Sequence, residues 1–174
     1  MSTDTSPTHT QTFVNRLEEL KRDRGAIAEL RRYWSPTLRH YAYPHFGRLG
    51  ILNRQSDMIV AAVFAQHPEH SAKGLSIGQA ALKIAGGRAG AAGYEAGERH
   101  FQRLLACSDG DLEDVAHQLH RLATRLSRVE GSPLNYEKLA RDLANWRFQR
   151  AEQVKLSWAR DFWQAPKEED GNQS

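Results

Sequence analysis

LEDVAHQLHRLATRLSRV, residues 112–129, decides the fold. Leu112, Val115, Leu119, Leu122, Leu126 and Val129 recur at alternating steps of three and four. That spacing lines up one apolar stripe on a 3.6-residue helix and leaves the other side to charge. Asp111, Glu113 and Asp114 come early and Arg121, Arg125 and Arg128 late, a polarity that complements the helix dipole. Ser108 or Asp109 is the expected N-cap. Gly131-Ser132-Pro133 ends the helix.

The same period continues in both directions. Downstream, Asn135 can cap a last segment from Tyr136 to about Gln164, with Leu139, Leu143, Trp146, Val154, Trp158 and Phe162 inward. Upstream, a helix is expected from Tyr94 to Cys107. Before it, Gly86–Gly93 carries four glycines around Arg88 and reads as a mobile loop. Ser76-Ile77-Gly78-Gln79 has the form of a capping box that opens a short helix to Ala85. Ser56–Gln66 is apolar along most of its length and reads as a central buried helix. Trp34–Asn53 is expected to be irregular, because Pro36 and Pro44 oppose a continuous helix. Its Trp34, Leu38, Tyr41, Tyr43 and Phe46 would pack it on the core. Phe13–Tyr33 reads as helix broken near Gly25. Strand signals are almost absent: few runs alternate, and no Asn-Gly or Asp-Gly hairpin turn appears. The expected fold is all-α, a compact bundle of about seven to nine helices.

The 174 residues suffice for one domain. We expect a disordered lead-in over 1–12, a single helical domain over 13–163 and an acidic disordered tail over 164–174. The lead-in lacks the basic start and apolar run of a signal peptide, and no stretch reaches the length of a membrane helix. One cysteine, Cys107, excludes an intrachain disulfide and a cysteine-built zinc site. A cytoplasmic location is the simplest reading. The formal charge is +3; the tail holds Lys167 against Glu168, Glu169 and Asp170, so the body carries +5.

Arginines dominate the basic residues, and their planar forks suit phosphate. Arg121, Arg125 and Arg128 share a side of the long helix. Arg99 and Arg103 form a similar pair on the helix before it. Arg24, Arg31 and Arg32 cluster near the first break, and Lys155 lies in a basic C-terminal stretch. Such rows bind a phosphate backbone through charge and counterion release without reading sequence. The alternative is a solvated face with local partners, for example Glu95 with Arg99. Metal binding has less support: His117 and His120 near Glu113 and Asp114, or His67 and His70, are incomplete ligand sets. The glycine loop lacks a Walker spacing and a preceding strand. Cys107 reads as a packing residue, and Trp158–Trp163 as core more than stacking platform.

Several segments, in order, resemble the CasB family, the small subunit of the type I-E CRISPR Cascade complex. They are Asp23-Arg24-Gly25-Ala26 with Leu30-Arg31-Arg32, Ser76-Ile77-Gly78, Glu98-Arg99-His100-Phe101 with Leu104-Leu105, and Leu119-His120-Arg121-Leu122 with Leu126. Asn135-Tyr136 with Leu139, Asp142-Leu143 and Trp146, and Trp158-Ala159-Arg160-Asp161-Phe162-Trp163, complete the set. Tyr136 stands where the family pattern has tryptophan. The resemblance implies a small helical, non-catalytic protein without cofactor, metal, membrane contact or small-molecule substrate. It implies as partners the backbone and large Cascade subunits, a second copy of the chain, crRNA and target DNA. Its basic surface would hold target and displaced DNA while guide pairing reads sequence. Arg24, Arg31, Arg32, Arg99, Arg121 and Arg125 are the first candidates for that contact; Arg103, Arg128 and Lys155 are the second. Two rival expectations stand beside it: a purely structural subunit whose arginines meet acidic partner surfaces, and a small helical enzyme built on His117, His120 and nearby carboxylates.

Overall fold

A computed structural model of the chain describes residues 8–146 and 150–165. Among these, nine α-helices follow in order: α1 (His9–Leu20), α2 (Arg24–Arg31), α3 (Tyr43–Leu49), α4 (Gln55–Gln66), α5 (Ile77–Ile84), α6 (Tyr94–Leu105), α7 (Leu112–Leu126), α8 (Tyr136–Asn145) and α9 (Ala151–Trp163). Two 3₁₀ turns, Arg32–Trp34 and Arg39–Ala42, join α2 to α3, and one strand, β1 (His70–Leu75), joins α4 to α5. The all-helical expectation holds.

The core forms around α4. Ile59 through Ala65 are all fully buried, so this helix has no polar face along its middle, the pattern of a helix enclosed on all sides. It packs against α2, α7 and α8. The amphipathic α7 closes one side with Leu119, Leu122, Ala123 and Leu126. A second layer of contact joins α5 to α9 and α6. It rests on Gly78, where a Cβ would lie 2.1 Å from the Trp158 carbonyl oxygen, and on Phe101 stacked 4.6 Å from Phe162. The capping box at Ser76 is formed as the sequence predicts, and the Ser76 hydroxyl also donates to Asp161 Oδ2 at 2.6 Å.

Several boundaries differ from the sequence reading. Helix α1 begins at His9, capped by Thr8, rather than at Phe13; residues 1–7 lie outside the described residues, as do 166–174 of the tail. The first break falls at Lys21–Asp23. Gly25 is inside the first turn of α2, and the Asp23 side chain caps that helix by accepting from the Ala26 amide. Pro44 opens α3 instead of opposing a helix, since the first turn needs no proline N–H. Phe46 is buried, but Leu38, Tyr41 and Tyr43 are exposed. The cap of α7 is Asp111, whose carboxylate accepts from the Glu113 amide at 2.8 Å. Arg128 and Val129 lie beyond the last turn of α7. The last segment forms two helices, α8 and α9; residues 147–149 between them lie outside the described residues.

Strand β1 had no sequence signal, because HSAKGL does not alternate. Pairing with 133–135 extends it: Leu75 N–H donates to Pro133 O at 2.8 Å, Leu134 N–H to Glu69 O at 3.0 Å and Asn135 N–H to Leu75 O at 2.9 Å. Gly74 admits that approach, since a Cβ there would stand 2.7 Å from the Leu134 carbonyl carbon.

Candidate nucleic-acid interface

Helix α6 turns Phe101 and Leu104 inward and leaves Arg99 and Arg103 exposed, one turn apart. Helix α7, packed beside it, leaves Arg121 exposed and Arg125 half-buried, again one turn apart. Between the two pairs sits His100. Burial pushes its pKa below the ordinary imidazole value, and Arg125, Arg103, Arg99 and Arg121 push it further down. All four guanidinium groups therefore act on one imidazole through their charge, and Arg125 is the one that reaches it. Arg125 is lowered in turn by burial, Arg121 and Arg103. Its Nη2 donates to His100 Nδ1 at 3.4 Å.

Among the described residues, none of the four arginines lies within 4.0 Å of a carboxylate. The expected Glu95–Arg99 pair is not among the ion pairs formed. Residues four apart on a helix rise by about 6 Å, so each helix offers a pair of guanidinium groups one turn apart.

The remaining sequence candidates are placed elsewhere or engaged. Arg31 Nε donates to the Ala65 carbonyl at 2.8 Å, and the Arg32 guanidinium covers the Tyr41 ring at 4.6 Å. Lys155 is held inside the fold: its ammonium donates to Cys107 O at 2.7 Å and Asp109 Oδ1 at 3.0 Å, and it faces the Trp146 ring. Arg128 sits in the turn after α7. Arg24 lines an open cleft of about 850 Å³ with Arg16, Arg22 and Arg48, beside Glu19 and Asp23. Sequence reasoning passed over Arg16, Arg22 and Arg48, because they come from α1, the α1–α2 turn and α3 and share no helical row. His45, at the same cleft, is buried, bonds Glu29 through Nε2 at 3.2 Å and leaves Nδ1 without a partner.

The histidines of α7 do not converge as ligands. His120 stacks on Trp34 at 4.5 Å, and His117 faces Glu113 at 3.9 Å. His67 bonds the Ser132 carbonyl at 2.6 Å, and His70 Nδ1 accepts from the Tyr136 amide. Among the described residues no group of three metal-ligating side chains comes together. Cys107 is buried, and burial raises its thiol pKa, the opposite of an activated nucleophile. Trp158 and Phe162 are core, whereas Trp163 is partly exposed and donates to Glu98. No described helix is long and apolar enough to cross a membrane.

These observations define a class: a small all-helical protein that presents an arginine face whose four members form no ion pair among the described residues. Its family follows from comparison. Residues 26–163 match the model of CRISPR-associated protein Cse2, and the chain belongs to that family. Its fold is similar to that of a Cse2-family CRISPR-associated protein from Thermus thermophilus, with a TM-score of 0.69 and 22% identity, covering 90% of this chain and 98% of that one. It is also similar to CasB from Thermobifida fusca, with a TM-score of 0.66, 21% identity and coverage of 90% and 99%. A chain of a CRISPR RNA-guided surveillance complex superposes with a TM-score of 0.67 at 24% identity, over 88% of this chain and 90% of that one. Among curated proteins none matches the sequence.

Proposed function

We propose that this chain is a non-catalytic small subunit of a Cascade-type surveillance complex and holds nucleic acid by its phosphate backbone along the α6–α7 arginine face. Membership of the Cse2 family and the likeness to a chain of a surveillance complex support the subunit role. The observation that carries the contact is that Arg99, Arg103, Arg121 and Arg125 all act on His100 while, among the described residues, none lies within 4.0 Å of a carboxylate. Four like charges repel one another in the free protein, and a phosphate chain relieves that repulsion while releasing its counterions. Guide pairing supplies sequence reading in such complexes, so the protein needs only backbone contacts. Target DNA, the displaced strand and crRNA are all candidate ligands by this chemistry. The remaining partners are the backbone and large subunits and a second copy.

The test is binding of labelled single- and double-stranded DNA across a salt series, with R121E/R125E beside the wild type, in the purified chain and in the assembled complex. Two lost contacts lower the logarithmic salt slope on single strands by about 1.4. An unchanged slope and affinity in the complex would end this assignment.

The second reading is a scaffold subunit. The observation that favours it is the exposed group Leu38, Tyr41, Tyr43 and Leu52, since tyrosine and arginine are enriched at protein interfaces. Loss of complex assembly on Y41A/Y43A, with DNA retention unaffected by R121E/R125E, would move the weight there.

A further inference from the structure

We propose that His100 is the positioning residue of the arginine face, and that binding of a phosphate backbone there draws a proton onto it. This inference rests on the nucleic-acid reading of that face. The geometry is specific. His100 Nδ1 lies 3.4 Å from Arg125 Nη2. A guanidinium has only donors, so Nδ1 must be the accepting lone pair and the free protein must hold the neutral imidazole protonated on Nε2. In that state His100 ties Arg125 down beside α6.

Among the described residues, the charged groups that act on the ring come from two helices. Its own helix contributes Arg99 and Arg103, and α7 contributes Arg121 and Arg125. From α5 the crevice beside it receives Ala81 and Ile84, which do not titrate. That crevice, lined also by Gln118, has room for about 30 Å³, enough for little more than water. His117 and His120 lie apart, facing Glu113 and Trp34.

A phosphate oxygen arriving at the face is a better acceptor for Arg125 than imidazole, because a charged acceptor makes the shorter and stronger bond. Arg125 changes partner, and Nδ1 loses its donor. The incoming negative charge also cancels the field of the four arginines that opposed protonation. His100 then takes a proton from solvent at Nδ1 and becomes a fifth cationic donor to the backbone. One proton is gained from solvent, and the Nδ1–H bond it forms is the only covalent bond of the protein that changes.

The sign follows. The complex holds more protons than the free components, so affinity rises as pH falls. The window opens at the complex's raised His100 pKa and closes at the free protein's depressed one, below the ordinary value of about 6.5. Within it the affinity gains at most about tenfold per pH unit.

The experiment uses the full chain and an oligothymidylate, whose bases do not titrate in this range, at constant ionic strength. Affinity is measured from about pH 8 to pH 5.5, and binding heats are compared in two buffers of different ionisation enthalpy. The variant is H100Q, whose amide oxygen can still accept from Arg125 but cannot take up a proton. Wild type is expected to take up a fraction of a proton and to bind more tightly at low pH. H100Q is expected to bind with the slope reduced and that uptake gone. As a second measure, NMR titration of the His100 ring is expected to give a pKa that rises on adding the oligonucleotide. Equal proton uptake in wild type and H100Q, or a His100 pKa unmoved by ligand, overturns the role of His100 while leaving the phosphate face intact. Absence of binding at every pH removes the face itself, and this inference with it.

Discussion

Gly78→Ala is the sharpest test of how the arginine face is built. A Cβ at residue 78 would stand 2.1 Å from the Trp158 carbonyl oxygen, 2.8 Å from Asp161 Cβ and 3.0 Å from the Trp158 carbonyl carbon. The close atoms are mostly backbone, so no side chain can swing aside. Helix α9 must move off α5 by about 1 Å to restore ordinary contact. Overpacking of this kind costs typically about 1–3 kcal/mol. The upper end applies here, because the same displacement stretches the 2.6 Å bond from Ser76 to Asp161 and disturbs the stack of Phe101 on Phe162. For a chain of this size, about 3 kcal/mol corresponds to a fall in Tm of roughly 6–12 °C. Urea unfolding followed by circular dichroism measures the loss directly. Because Phe101 stands in α6 between Arg99 and Arg103, the variant should also bind DNA less well while still folded. A loss under about 0.5 kcal/mol would refute the claim that α5 and α9 touch through Gly78.

Asp111→Ala removes the N-cap of α7 and should cost about 1 kcal/mol by chemical denaturation, whereas Ser108→Ala should not reproduce that loss. Lys155→Ala gives up two hydrogen bonds and the contact with Trp146; it should lower stability by about 1–2 kcal/mol and leave the salt slope of DNA binding unchanged. Burial raises the Asp142 pKa, with the Trp158 and Lys138 bonds opposing it. An acid whose folded pKa is raised binds its proton more tightly in the native state, so its carboxylate weakens the fold at neutral pH. The stability difference between D142N and wild type, measured by urea melts at several pH values, should therefore favour the variant near neutrality. It should shrink as pH falls through the raised pKa towards the ordinary value of 3.8.

The helices were legible wherever a polar face alternates with an apolar one, as in α7, or where apolarity runs unbroken, as in α4. Chain ends and turns were less so, because their decisive residues act through single hydrogen bonds. Asp111 outcompetes Ser108 and Asp109 as a cap only through its position relative to Glu113. Strand β1 was invisible for a different reason: its extension is imposed by Pro133, Leu134 and Asn135, some sixty residues away. The arginine face was half legible. Each i, i+4 pair could be read from its own helix, but nothing in the sequence says that α6 and α7 turn their pairs towards the same imidazole. The Arg16, Arg22, Arg24 and Arg48 cleft was legible only at Arg24, since three separate elements supply the others.

Convergence changes what the arginines mean. A lone exposed arginine row is usually solvated and costs the fold little. Burial and the four guanidinium charges hold the His100 pKa down, and burial with Arg121 and Arg103 holds that of Arg125 down, so the free protein keeps these charges together against repulsion. Packing of Phe101, Leu104 and Leu122 maintains that arrangement from beneath. An anionic partner recovers the energy so held, whether it is a nucleic acid or an acidic protein surface. The two differ in how they respond to salt. A polymer of phosphates with condensed counterions gives a steep dependence that scales with the contacts made. A folded acidic surface has no such condensed atmosphere and gives a shallower one, screened over about a Debye length. The salt slope of the assembled complex, more than its affinity, is therefore the quantity that tells a DNA-holding face from a docking face.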